Sequence, residues 1–456
     1  MRTRSFRMGV LALTLAPAWG GDGAPAHAGE EEAVVLEDFD APEPPPGITS
    51  WDLKTRRVEA GGGGALELSG WSGKDGRDAG LRIPVTVSDW RKFEALAIGV
   101  TTTAGTLDVE IDLRNAGESR LLFRMARLPP EAGRGAELRI PLRDFCDESW
   151  GLVASLAAVQ SVDIRFPAGS GTVVLDDIRL LPGSRGEAGS RYTLEDWKAL
   201  GFQRKACRTL VSKSFALLTD SKTYQGTRGT KLLGQMEAGV RTLASRYGVK
   251  AVSRERMPVL LFDRPGDYGA FYSRVTETFR GKAQAADSEA GAALLGVAVL
   301  PNEPLRGVYE PVAVHEALHL VIRDSLRLAT SGPWIQEGLA CAVERQFYPE
   351  YFDQRFRRVS REAFQAYLRD GSGSLLPLGK VLAQKSVPYF DYTEILTIFD
   401  YLAERHKGRL DGVWDAVRRL GKDPDEAGMD AILGAVGMTL EEFEKDWARW
   451  GATAYR

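Results

Sequence analysis

The sequence predicts two domains in series, an all-β sandwich followed by an α+β domain, on three observations. The first is length, since 456 residues exceed what one ordinary hydrophobic core serves. The second is a series of short alternating segments from about Leu36 to Pro182, separated by glycine clusters. The third is a change of texture after a small, polar stretch at 184–190, beyond which helical spacing dominates.

Residues 1–28 read as a secretory signal peptide. Arg2, Arg4 and Arg7 give a positive start, Met8 to Leu15 a short apolar run, and Ala26-His27-Ala28 a small-residue cleavage site. The expectation is a secreted or periplasmic protein cut after Ala28. The apolar run is too short to span a bilayer, and no later stretch reads as transmembrane.

The sandwich is expected over 33–183. Ala65-Leu66-Glu67-Leu68, Leu81-Arg82-Ile83 and Thr106 to Leu113 alternate, as do Glu137 to Ile140, Val162 to Phe166 and Val173 to Leu181. Period-two alternation buries one face of a strand and wets the other. Gly61 to Gly64 and Gly169-Ser170-Gly171 supply turns. The linker is expected at 184–190 and the second domain at 191–456. There, Phe215 to Leu218, Val259 to Phe262 and Ala292 to Leu300 read as buried strands. Leu232, Leu233, Met236, Val240, Leu243, Ala244 and Tyr247 share one helical face. The tail is helical, with helical spacing from Asp411 to Leu420. Thr439 and Glu442 form a capping box ahead of Phe443, Trp447 and Trp450.

Composition narrows the function. A formal net charge of −3, with both signs mixed along the chain, lacks the one-sided basic field that nucleic-acid binding needs. Cys146, Cys207 and Cys341 are odd in number and far apart, so neither a disulfide framework nor a cysteine-based zinc site can be read from them; at most one bridge is possible, and they read as buried small apolar residues.

The chemistry is concentrated in Val312-Ala313-Val314-His315-Glu316-Ala317-Leu318-His319-Leu320-Val321-Ile322. The segment has no proline or glycine, so a helix is natural. Residues four apart lie on one helical face, and both imidazoles can therefore reach one zinc ion. Glu316 sits beside that face, placed to take a proton from an attacking water. Two histidines and a carboxylate in so apolar a helix would be costly without a metal or partners.

A catalytic zinc needs three protein ligands and an open position. His406 lies in the polar stretch Glu404-Arg405-His406-Lys407 and is set aside. Glu337 is the better candidate. Ser331, Gly332 and Pro333 mark a helix start, and Glu337 is a lone carboxylate among Ile335, Leu339, Ala340, Ala342 and Val343.

HEALH followed by Trp334-Ile335-Gln336-Glu337-Gly338-Leu339-Ala340 resembles the gluzincin pattern, in particular the peptidase MA-like domain of bacterial proteins. Leu260 to Tyr268 with Phe271, and Tyr389 to Leu402, resemble its central strand and helices, and the resemblance spans about residues 205 to 450. It implies an α+β gluzincin-type metallopeptidase holding Zn2+ through His315, His319 and Glu337. Glu316 would be the general base and Tyr392, with Tyr389 close by, the oxyanion stabiliser. Many gluzincins carry an acidic residue four positions after the ligand glutamate, where it orients a histidine. Cys341 stands there in this chain, so that role falls to another group, Asp324 or Glu344.

The earlier segment resembles the galactose-binding-like jelly rolls of carbohydrate-binding modules. The matching residues are Leu36 to Asp40, Asp89-Trp90 with Phe93 to Leu96, and Val174 to Leu180. The resemblance implies a structural Ca2+ near Asp38 and Asp177, weighed against solvated strand ends. It also implies a sugar-stacking platform among Trp51, Trp71, Trp90 and Trp150, weighed against core packing. The expected function is hydrolysis of a peptide or protein substrate, with a glycan or cell-surface ligand for the sandwich. The alternative is a zinc-containing, non-proteolytic carbohydrate- or cell-surface-binding protein.

Overall fold

A computed structural model describes residues 33–41, 47–60, 63–70, 79–102, 107–115, 121–128, 136–145, 156, 158–166, 171–182, 192–203, 205–251, 256–280, 291–302, 309–326, 328, 333–349, 365–366, 378, 392–420 and 424–454. The signal-peptide segment, the linker, Trp71, Trp150, Cys146 and Tyr389 lie outside the described residues.

The first half is a sandwich of two antiparallel sheets. Its strands are β1 (Val34–Glu37), β2 (Thr49–Trp51), β3 (Lys54–Ala60), β4 (Gly63–Ser69), β5 (Ala79–Pro84), β6 (Phe93–Thr102), β7 (Leu107–Asn115), β8 (Leu121–Leu128), β9 (Ala136–Pro141), β10 (Val159–Phe166) and β11 (Thr172–Pro182). One sheet runs β3-β4-β11-β6-β9 and the other β2-β5-β10-β7-β8. β11 is long enough to serve two neighbours on one side. Thr172 to Leu175 pairs with β4, and Ile178 to Leu180 pairs with β1. The alternation works as expected: Leu81, Ile83, Ile111, Leu113, Ile164 and Leu175 point inward and are buried around Trp90 and Phe93. Trp90 is therefore core, its indole Nε1 donating to the Val87 carbonyl at 2.7 Å.

The outward face of the second sheet is charged rather than merely polar. Asp163 is fully buried and accepts from Arg82 and Arg114, each at 2.8 Å. Asp112 lies beside Arg165 at 2.7 Å. Burial and the neighbouring charge of Glu110 push the Asp112 carboxyl up to about 8 against the pull of Arg165.

The second half is built on a mixed sheet. Its strands are β12 (Arg208–Val211), β13 (Phe215–Thr219), β14 (Met257–Phe262), β15 (Ala292–Leu294) and β16 (Val297–Pro301), in the order β12-β13-β14-β16-β15. β13, β14 and β16 are parallel and both edges antiparallel. The crossovers are α2 (Thr227–Tyr247) and α3 (Pro265–Arg280). The remaining helices are α1 (Leu194–Phe202), α4 (Tyr309–Leu326), α5 (Pro333–Phe347), α6 (Tyr392–Arg405), α7 (Leu410–Leu420), α8 (Pro424–Val436) and α9 (Leu440–Ala454). The architecture is a β-sandwich followed by a mixed α/β helical region.

Ala292 to Leu300 is not one strand, as the sequence suggested, but a hairpin. Leu295 and Gly296 both take left-handed backbone, at φ 50° and 74°, and turn the chain in two residues. Gly296 is the only mark of that turn in an otherwise apolar run.

Both faces of the mixed sheet are covered, as parallel strands require. Trp197, Phe202, Phe271 and Val275 pack on Ala216, Leu218, Leu260 and Val299. Leu232, Met236, Leu318 and Val321 pack on Leu217, Val259, Leu261 and Ala298 on the other side. α5 lies against α6 at Gly338, where an added Cβ would sit 2.3 Å from the Phe399 ring. Trp334 stacks on Phe399 at 5.7 Å and Phe399 on Trp414 at 6.2 Å, which anchors α5. Thr439 caps α9 through the expected reciprocal bonds with Glu442. Across the two halves, the Tyr192 hydroxyl donates to the Asp144 carboxylate at 2.7 Å.

Candidate metal centre

α4 carries His315 and His319 one turn apart on a single face. Both are buried, at 3% and 5% exposure, with ring centroids 4.6 Å apart. Their Nε2 atoms face each other at 3.0 Å. Glu337, in the first turns of α5, closes the group. One carboxylate oxygen lies 3.1 Å from Nε2 of His315 and the other 3.4 Å from Nε2 of His319. α5 carries Glu337 to this point because its apolar face docks on α4 and α6, leaving the carboxylate over the histidines.

Glu344 stands behind His315. It is fully buried, and its Oε2 lies 2.9 Å from Nδ1 of that ring. Of the two groups open to this role, Asp324 is exposed and Glu344 takes it. The reason is helical geometry. Residues 337, 341 and 344 form one stripe on α5, so a carboxylate seven positions on reaches the histidine from the next turn. A carboxylate on Nδ1 takes that nitrogen's N–H, so in the neutral ring, the form that binds a metal, Nε2 carries the lone pair.

The electrostatics follow from these contacts. Burial alone would push His315 down, but Cys341, Glu337 and Glu344 outweigh it and hold the imidazole well above its usual range. Burial alone would raise Glu337, but His319 and His315 hold its carboxyl well below the usual carboxylate range. Positive charge belongs between these three side chains. Nδ1 of His319 is buried with no hydrogen-bond partner among the described residues.

The donor set fits zinc. Bonds of about 2.0–2.1 Å in tetrahedral arrangement put neighbouring donor atoms about 3.3 Å apart, close to the separations found here. Cys341 belongs to a second conceivable set, since its Sγ, His315 and Glu337 all offer ligand atoms within 4.8 Å. One feature weighs against the thiol: its Sγ lies 4.0 Å from Nδ1 of His315, the nitrogen already held by Glu344. Burial pushes the Cys341 thiol up to about 12, and a bound cation would oppose that shift.

Glu316 is half-buried and lies beside Gly291, at the entry to β15, where an added Cβ would sit 3.3 Å from its Cγ. Tyr392 opens α6, with its side chain outside the described atoms. His406 is away from the centre, its Nε2 3.2 Å from the Tyr401 hydroxyl. Sequence reasoning missed Gly291, which no spacing rule marks. It also missed Arg323, although helical spacing puts that residue on the His315–His319 face.

In the sandwich, Asp177 is paired with Arg179 at 2.6 Å, and Asp38 is exposed and accepts from the Asp40 backbone N–H. No metal-competent group of three or more side chains includes either among the described residues. Trp51 lies half-buried across Gly80, where a Cβ would sit 2.1 Å from its ring.

No family model matches this chain, and no curated protein matches it. Solved structures do show similarity. A family 11 carbohydrate-binding module from Clostridium thermocellum, in complex with a β-1,3-1,4-mixed-linked tetrasaccharide, is 15% identical with a TM-score of 0.28, covering 33% of this chain and 96% of that one. A family 30 carbohydrate-binding module is 14% identical with a TM-score of 0.26, covering 38% and 93%. An exo-β-agarase is 14% identical with a TM-score of 0.28, covering 41% and 36%.

Proposed function

We propose that this chain is a zinc-dependent peptidase of the gluzincin type, exported from the cell, in which His315, His319 and Glu337 hold the ion. The observation that carries the proposal is the convergence of two imidazole nitrogens and a carboxylate within 3.0–3.4 Å, with Glu344 behind one ring. Bound zinc would supply polarisation of the scissile carbonyl and a more acidic attacking water. Glu316 takes the proton of that water and delivers it to the leaving amine. Its half-exposed side chain leaves it open to substrate. Among the described residues β15 is an edge strand of the mixed sheet and leads away from Glu316 through Gly291, so the outward Ala293 N–H can take a carbonyl of an extended peptide, the Ala293 carbonyl being held by Arg323. Tyr392 is assigned to the oxyanion on the gluzincin resemblance.

Metal analysis of purified protein with peptide-library cleavage profiling tests the reading. One zinc per chain and cleavage abolished by chelator are expected; a metal-replete chain that cleaves nothing would sink it. Glu344→Gln should weaken zinc binding by about 10–100-fold, the usual effect of losing an outer partner of a ligand histidine. Competition with a chromophoric chelator reads this directly.

A second reading, binding of a glycan by the sandwich, has its own observation. Trp51, Gly80, Arg165 and Glu110 form one row across the outward face of the second sheet, with Arg82, Asp163 and Asp112 in the next row. A half-exposed indole beside charged hydrogen-bonding groups suits a sugar ring, whose flat apolar face stacks while its hydroxyls bond. Such a module would hold the enzyme near its substrate. Trp51→Ala should abolish retention on polysaccharide in affinity electrophoresis and leave peptide cleavage unchanged. Equal retention of both proteins removes Trp51 from the platform.

A further inference from the structure

The geometry points to Arg323 as a positioning residue that clamps the edge strand β15 to the metal-bearing helix and to the helix that brings Glu337. Arg323 lies one turn beyond His319 and two beyond His315 on α4. Its Nη1 donates to the backbone carbonyl of Ala293, in the middle of β15, at 2.8 Å. Its Nε donates to Oε1 of Gln336 at 2.7 Å. Gln336 is buried, at 4% exposure, and immediately precedes Glu337. One planar guanidinium thus ties together the strand, the histidine helix and the Glu337 helix, which a single-point ammonium cannot do.

The register of β15 shows why its edge needs such a tie. The two-residue turn at Leu295–Gly296 makes Leu294 and Val297 the bonded pair that closes the hairpin. The next pair, Ala293 and Ala298, therefore turns its backbone groups away from the partner strand. The Ala293 carbonyl faces the open edge, and Arg323 takes it. Among the described residues β15 has three residues and one neighbouring strand, so its ladder holds it by few bonds. At its entry Gly291 is closely packed: a Cβ there would sit 2.9 Å from Leu300, 3.2 Å from the Val299 carbonyl oxygen and 3.3 Å from Cγ of Glu316. A strand free to drift would shift the pairing edge relative to both Glu316 and the metal ligands. The clamp fixes that distance. Its kinetic consequence rests on the peptidase reading, whereas the clamp itself rests on geometry alone.

The test uses the full chain, loaded with zinc, and two readouts. The first is amide hydrogen exchange over 291–301 and over α4. Arg323→Met is expected to speed exchange at 291–301 about tenfold and leave α4 protection unchanged, as loss of one charge-assisted bond to a local element should. Arg323→Lys, which keeps one of the two bonds, should fall between. The second readout is peptide cleavage. KM should rise about tenfold in Arg323→Met with kcat within about threefold, the signature of lost substrate alignment rather than lost chemistry. If Arg323→Met does not fold, Gln336→Met removes one anchor of the same guanidinium and should speed the same exchange. Unchanged exchange at 291–301 in every folded variant overturns the clamp. So does a KM rise confined to peptides with a free carboxylate beside the cleaved bond, with exchange unchanged, because Arg323 would then contact substrate. If the wild-type chain cleaves no peptide, the peptidase reading fails and the exchange data still decide the clamp.

Discussion

Replacing Glu316 by glutamine is expected to lower peptide hydrolysis by about 1,000-fold or more while leaving one zinc bound per chain. A positioned general base contributes roughly 10²–10⁴-fold, and no other described carboxylate takes its place. Glu337 and Glu344 are the nearest acidic groups on α5, and both are engaged by the histidines. Glutamine keeps the shape of the side chain and loses only its basicity. Because Glu316 is not among the converging donors, zinc stoichiometry and the melting curve should not change. Cleavage within about tenfold of wild type, with zinc retained, would show that some other group takes the proton.

Glu337→Gln is expected to have the opposite profile, with loss of the metal first and of activity as a consequence. The amide leaves His315 and His319 without the carboxylate that both face. Zinc affinity should fall by more than the roughly 10–100-fold that an outer partner costs. The thermal midpoint reports it. Zinc at a thousand times its dissociation constant stabilises the folded chain by about 4 kcal/mol, roughly 10 °C for a domain of this size. That rise should appear in the wild type, disappear with chelator, and be absent in Glu337→Gln. The same melt separates the two ligand sets. Cys341→Ala should keep the zinc-dependent rise, whereas its loss in that variant would put the thiol on the metal and His319 off it.

The parts of the site that were legible in the sequence are those encoded on single helices. His315 and His319 share a face of α4 by spacing alone. Glu337 stood out because a carboxylate on an otherwise apolar helix needs a partner charge. The oriented carboxylate was half-legible. The position four after Glu337 holds Cys341, and only the packing of α5 on α4 separated Glu344 from Asp324. The hairpin at Leu295–Gly296 had Gly296 as its only mark in an otherwise apolar run, where the pattern of burial carries no phase. The charged outward face of the second sandwich sheet was also hidden. Asp112, Asp163 and Arg165 read as ordinary wet positions, yet Asp112 and Asp163 are almost wholly buried by cross-strand neighbours. Trp90 and Trp51 look alike in the sequence, but one fills the core and the other lies across Gly80.

The sequence by itself determined the alternating strands of the sandwich, the apolar strands and helix faces of the second domain, and the His315–His319 pair with Glu316 between. Each depends on the 2.0 or 3.6 periodicity of one element, which short stretches of chain specify locally. The tertiary structure alone decided that Glu337 arrives opposite both Nε2 atoms, that Glu344 and not Asp324 stands behind His315, and that Arg323 ties β15 to both helices. Those are distances between elements far apart in the chain. They are set by how apolar faces interlock across α4, α5, α6 and the mixed sheet, with Gly338 under Phe399 as one example, and no local pattern records them.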